Sequence, residues 1–199
     1  MKRRFELTAA ARVLVICSIC VLLVAMQSAA AREIAGVDVP ESITIDNKAL
    51  VLNGAGIRKK LFIKIYVGAL YLTGKRSTVN EILADGGAKS IVMSFLYKEV
   101  SAEKLVAAWN EGFKGNSTTE EIRELQERIN QFNSFFTPVH SGDVIRLEYL
   151  PQEGTRVLIN DTLKGTVTSE DFYRALLKIW LGPKPADEDL KEAMLGNPS

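Results

Sequence analysis

The sequence predicts an α+β fold, with antiparallel strands and helices grouped between them. Three observations carry that prediction. Residues 144–150 and 155–160 each alternate apolar and polar side chains, and residues 151–154 join them in a hairpin pattern. Residues 61–72 and 90–97 are rich in β-branched and aromatic side chains, as strands are. Leu105, Ala108, Trp109 and Phe113, then Ile122, Leu125, Ile129, Phe132 and Phe136, recur at helical spacing. Strands that alternate in this way belong to a sheet with one face half exposed or covered by helices.

In chain order, residues 37–44 form a short extended lead-in bounded by Pro40. Residues 50–58 follow, with Gly54 and Gly56 suited to a tight bend or bulge. In the 61–72 strand, Leu61, Ile63, Ile65 and Val67 fall on one side, and Phe62, Lys64 and Tyr66 on the other. Gly68 marks a candidate bulge. A turn over 73–76 leads to a short helix over 77–84, ended by Gly86 and Gly87. Ser101 opens a helix with an S-x-x-K start that lacks the acid of a capping box. A loop over 115–117 separates it from a second helix over 119–136. Beyond the hairpin, turn residues at 160–161 and 164–165 precede a short strand over 165–167. Ser169 opens a helix to Leu181, closed by Gly182 and Pro183. A last short helix covers 186–195, where Asp187, Glu188 and Asp189 favour the positive end of its dipole.

Residues 1–31 are expected to be a secretory signal peptide that is cleaved, leaving one domain over 32–199. Lys2, Arg3, Arg4 and Arg12 face a single acid, Glu6; an apolar run follows, and Ala29, Ala30 and Ala31 suit a signal peptidase. The uninterrupted apolar run is ~14 residues, short of the ~20 that cross a bilayer, so no membrane span is expected once it is removed. This signal is of bacterial Sec type and predicts a periplasmic or secreted protein. Both cysteines, Cys17 and Cys20, lie in the leader, so the remaining chain has no disulfide, thiolate metal site or cysteine nucleophile. The full chain has a net charge of +1; the leader contributes a net +3, so the remainder is near −2. That balance gives no reason to expect nucleic acid as a partner.

Gly54, Ala55, Gly56, Ile57 and Arg58, followed by Gly68, Ala69, Leu70, Tyr71 and Leu72, resemble the first signature of chalcone isomerases and their relatives. Tyr97 and the helix from Val100, Ser101, Ala102 and Glu103 to Trp109 are similar to the second. Ile179, Trp180, Leu181 and Gly182 resemble the third. The resemblance covers nearly all of residues 50–196 and implies an open-faced β-sandwich, a large antiparallel sheet over a helical layer with a cleft between them. It also implies a site. Arg58 stands at the position of the substrate arginine and Tyr97 at that of the tyrosine before the second signature's helix. Tyr66 stands where the enzymes carry threonine, Lys104 where they carry asparagine, and Ile179 where they carry a late hydroxyl. Tyrosine in place of threonine resembles the fatty-acid-binding branch, in which arginine and tyrosine grip a carboxylate. A guanidinium suits that task because its planar fork donates two hydrogen bonds to one carboxylate.

Two functions compete. In the first, a non-catalytic cleft holds a small amphipathic carboxylate such as a fatty acid, with Arg58 and Tyr66 at its polar end. In the second, an isomerase or intramolecular lyase acts on a chalcone-like enone, with Arg58 stabilising an oxyanion and Tyr97 orienting a water or the carbonyl. The absent asparagine and hydroxyl weigh against the second. Blander roles compete residue by residue: Arg58 beside Lys59 and Lys60 as solvated charge, Tyr66 and Tyr97 as packing, Lys104 as an exposed helix lysine. Trp109 and Trp180 read as core anchors, and His140, the only histidine, as a loop residue. No metal site or cofactor is expected; one histidine with scattered acids is a poor zinc set, and there is no G-x-G-x-x-G or Walker loop.

Overall fold

A computed structural model describes residues 31–197, so the expected leader, except Ala31, lies outside the described residues. Eleven strands and five helices follow: β1 (Ala31–Ile34), β2 (Val37–Pro40), β3 (Ser42–Ile45), β4 (Lys48–Lys60), β5 (Ile63–Leu72), α1 (Val79–Ala84), β6 (Lys89–Phe95), β7 (Glu99–Val100), α2 (Ala102–Asn116), α3 (Thr119–Asn133), β8 (Val139–His140), β9 (Val144–Leu150), β10 (Gly154–Ile159), β11 (Thr162–Val167), α4 (Glu170–Leu181) and α5 (Glu188–Met194). A curled antiparallel sheet of seven strands runs in the order β11-β10-β9-β6-β5-β4-β3. The fold is α+β, and the hairpin expected at residues 144–160 is β9–β10.

The two faces of the sheet carry separate cores. Leu70, Ile91, Met93, Leu147 and Val157 face a helical layer that supplies Trp109, Phe113, Phe132, Phe172, Leu176 and Trp180. On the other face Leu50, Leu52, Val67, Ala69, Tyr71 and Leu150 are covered by Val39 and Ile45, with Ile34 and Val37 packed against them. That second cover comes from β1 to β3. The sequence predicts only a short extended lead-in over 37–44 there, because each strand is just four residues long.

Local chemistry places the helix ends. Ser101 caps α2 through its hydroxyl, which accepts from the Lys104 backbone N–H at 3.4 Å. Thr118 and Glu121 form a reciprocal capping box at α3, with Thr118 N–H donating to Glu121 at 2.7 Å and Glu121 N–H donating to the Thr118 hydroxyl at 3.1 Å. Asp187 caps α5 by accepting from Leu190 N–H at 2.9 Å, and its other oxygen accepts from Lys59 N–H at 2.8 Å. One carboxylate thus ties the last helix to β4.

Three details differ from the sequence expectation. Residues 61–62 are a turn, so β5 starts at Ile63. His140 is an exposed residue of β8, paired with Glu99 of β7, rather than a loop residue. Gly54 and Gly56 sit inside strand β4, where a register shift falls between Leu52 and Gly54. The shift at Gly54 is the bulge the sequence allows, and the small size of both glycines also serves close approach: a Cβ on Gly54 would stand 2.0 Å from the Ala193 carbonyl oxygen, and one on Gly56 2.6 Å from the Ala193 methyl. Gly68 of β5 is likewise closed over by Met194, 2.9 Å from an added Cβ. Small residues on two neighbouring strands make the bed on which α5 lies.

Candidate functional site

Arg58 on β4 lies directly across from Tyr66 on β5, which lies across from Phe95 on β6. Paired residues project to the same face of a sheet, here the helical one. The Arg58 guanidinium carbon stands 5.7 Å from the centre of the Tyr66 ring, within cation–π range. Arg58 is half-buried, and its Nε is buried with no hydrogen-bond partner among the described residues. A guanidinium nitrogen in that position is costly to leave unpaired.

Tyr66 is buried at 5% exposure, and its hydroxyl oxygen accepts from Trp180 Nε1 at 2.9 Å. Burial pushes its phenol pKa up, opposed by the Arg58 charge and the Trp180 hydrogen bond. The phenol is therefore neutral near pH 7, with its own O–H still able to donate. Trp180 stacks at a tilt on Trp109, centroids 5.7 Å apart, and Trp109 continues to Phe136 at 5.4 Å. Trp109 Nε1 is also buried without a partner among the described residues. The two tryptophans are core anchors, as expected, but Trp180 also orients Tyr66, which the sequence reading missed. A buried indole N–H usually finds an acceptor, a signal that both tryptophans carry and that only Trp180 satisfies among the described residues.

The remaining candidates fall in different surroundings. Tyr97 follows β6, 39% exposed, with its backbone N–H donating to the Ile65 carbonyl at 3.1 Å. It lies beside the strand of Tyr66 at the margin of the site. Lys104 points outward from the first turn of α2 and is exposed. Ile179 is buried between α4 and α2, its side chain 2.7 Å from where a Cβ on Gly112 would stand. Neither adds a polar contact to the Arg58–Tyr66 pair. Among the described residues no cluster of three His, Cys, Asp or Glu side chains could hold a metal ion.

Two hollows lie elsewhere. One, about 730 Å³, runs beside β4 and α5 and includes Arg32, Asn53, Lys59, Lys75 and Arg76 in its lining. Its basic side chains are largely committed: Arg32 to Glu41, Lys59 to Asp189 and Arg76 to Asp85. The other, about 300 Å³, lies between α2 and α3, over Phe113, Ile122 and Ile129. Neither is lined by Arg58 or Tyr66. The second hollow includes Ser117, whose hydroxyl is buried without a partner among the described residues; Arg58 Nε is another such atom, and it lies at the position the family resemblance singles out.

A family model described as chalcone isomerase-like matches residues 31–196. The chain belongs to the chalcone isomerase-like family. Among solved structures, this chalcone isomerase-like chain is similar to a fatty-acid binding protein of Arabidopsis thaliana, with a TM-score of 0.62 and 18% sequence identity. The match covers 83% of this chain and 95% of the plant protein. At that identity the likeness establishes the shared fold. No curated protein matches the sequence.

Proposed function

We propose that this chalcone isomerase-like protein is an exported, non-catalytic carrier of a small hydrophobic carboxylate, with a fatty acid as the favoured class. The supporting observation is the pair of donors at one point of the helical face: the Arg58 guanidinium with its unpartnered Nε, and the Tyr66 hydroxyl held in place by Trp180. A carboxylate placed there would accept from both, and charge-assisted bonds of this kind are the strong ones. The acyl chain would run between sheet and helices, along the rings of Trp180, Trp109 and Phe136, gaining about 0.8 kcal/mol for each buried CH₂. Entry requires those rings to part, since they now fill the interface. The plant structure that shares this fold is named for fatty-acid binding, which favours the same ligand class. Lys104 and Ile179 stand where the enzymes carry an asparagine and a hydroxyl, so the proposed site lacks those two polar groups.

The test is lipid extraction and mass spectrometry of the purified protein, followed by titration with a long-chain fatty acid. Arg58→Ala should weaken binding by about ten- to a hundredfold, the size of one hydrogen bond to a charged group, without abolishing it. Wild-type protein that neither co-purifies with nor binds such an acid overturns the proposal, and so does an Arg58→Ala variant that binds as well as wild type. Export is read in the same preparation, from an intact mass corresponding to a chain that begins at Arg32.

A further inference from the structure

Two of the sheet's hairpins turn on residues suited to positive φ. Asp46 and Asn47 join β3 to β4, and Asn160 and Asp161 join β10 to β11, all four at positive φ. In the separate β1–β2 ribbon, Gly36 shares the turn with Ala35, also at positive φ. The β4–β5 hairpin departs from this pattern, as does β9–β10 with Gln152 at φ 76°, but only β4–β5 turns on large apolar side chains. Its turn is Leu61 and Phe62, with Leu61 at φ 57°, where a side chain costs energy and glycine or asparagine is favoured. Leu61 is 86% exposed and Phe62 99%, with half-exposed Ile63 beside them. Three consecutive large apolar residues in water at the tip of a hairpin are neither core nor turn chemistry.

The charges on the hairpin end itself, Lys59, Lys60 and Lys64, share one sign, and the acids nearest to them, Asp187 and Asp189, are engaged at Lys59. Lys59 and Lys64 stand directly opposite each other across the hairpin, which is unfavourable for like charges. Asp189 neutralises Lys59 at 3.7 Å, whereas Lys60 and Lys64 have no ion pair among the described residues. Tyr97 is tied to the base of the same hairpin through Ile65. Apolar and aromatic side chains at a protruding end, rimmed by lysines, match the interface of a bilayer with anionic headgroups.

We propose that the β4–β5 tip is a membrane-docking element that sinks Leu61 and Phe62 into an anionic lipid surface while Lys60 and Lys64 contact the headgroups. This is attachment to a surface and requires no spanning segment. It does not rest on fatty-acid binding, although the same two strands carry Arg58 and Tyr66, so docking would bring the proposed site close to the lipid.

The experiment is co-sedimentation of the protein, as purified from the cell that makes it, with two kinds of vesicle. One kind is phosphatidylcholine alone; the other adds phosphatidylglycerol. Wild type should sediment with the phosphatidylglycerol vesicles and be released by salt. The double variant Leu61→Ser/Phe62→Ser should stay in the supernatant, and Lys60→Gln/Lys64→Gln should bind on the order of tenfold more weakly. The tip variant should still melt like wild type, because the two side chains are almost wholly in water. Equal sedimentation of wild type and the tip variant overturns the proposal, and so does equal partition onto both kinds of vesicle. Tip-dependent capture of an acidic protein with no vesicle binding would also overturn it, assigning the tip to a protein partner. Fatty-acid titration of the tip variant separates the two proposals, since ligand binding there depends on Arg58 and not on Phe62.

Discussion

Replacing Gly54 by alanine should lower the melting temperature by on the order of 10 °C, although alanine is the smallest possible change. The added methyl carbon would stand 2.0 Å from the Ala193 carbonyl oxygen and 3.0 Å from both the Ala193 carbonyl carbon and the Gly196 nitrogen. All three are backbone atoms, so no side-chain rotation relieves the overlap. Either β4 moves away from β5 or α5 lifts off. Lifting α5 exposes Leu190 and Met194, both fully buried, at about 1.5–3 kcal/mol each. It also strains the bond from Asn53 Nδ2 to the Met194 carbonyl at 2.8 Å. Overpacking of a dense site costs about 1–3 kcal/mol when the surroundings yield and more when they cannot, so about 4 kcal/mol is expected here. Gly86→Ala is the control, since an added Cβ there meets nothing within 4 Å. Thermal melts followed by circular dichroism decide it. If the two variants melt together, the packing account of Gly54 is wrong.

Glu148→Ala should be the second large loss. Glu148 lies on β9, 2% exposed, between Ser90 of β6 and Arg156 of β10. It accepts from Arg156 Nη2 at 2.7 Å, and Arg146 Nε lies 3.2 Å from its other oxygen, off the line of a hydrogen bond. Removing one member of a buried ion pair costs about 3–5 kcal/mol, because the charge left behind has lost its partner. Both arginines keep some contact with water and have second acids, Asp161 for Arg146 and Glu153 for Arg156. The expected cost is therefore lower, about 2–3 kcal/mol. Urea denaturation of Glu148→Ala, Arg156→Ala and the double variant measures it. The double variant should be less destabilised than the two single losses added together. Strict additivity would mean that the pair is not coupled.

The parts of the fold that were legible in the sequence are those fixed by neighbours along the chain. Residues 144–150 alternate, and β9 occupies that span; Ser101 and Ser169 precede α2 and α4 as their spacing required. What was not legible depends on partners far away in sequence. Gly54 and Gly56 suggest a bend or bulge, and a bulge is there, but the close approach of Ala193 that also requires them comes from a residue far along the chain. Leu61 and Phe62 read as strand because their side chains are strand formers, and only the backbone reversal at Leu61 shows otherwise. α2 runs through Gly115 and Asn116, residues that read as a loop; Asn116 reaches back to the Gly112 carbonyl and across to that of Lys184.

The candidate site divides in the same way. The resemblance singled out Arg58 and Tyr66, and the strand register sets them side by side. The hydrogen bond from Trp180 joins positions 114 residues apart, which no local pattern encodes. Ile179, on the same turn of α4 as Trp180, is taken up by contact with Gly112.

The bed of glycines under α5 also fixes an order of events during synthesis. Asn53 is translated long before the Met194 carbonyl it holds, and 141 residues separate the two. Until α5 is in place, the patch of β4 and β5 at Gly54, Gly56 and Gly68 has nothing laid over it, although α2 to α4 and β1 to β3 can already cover the rest of the sheet. Contacts this distant in sequence close slowly, so the seat of α5 on β4 is expected to be among the late events of folding.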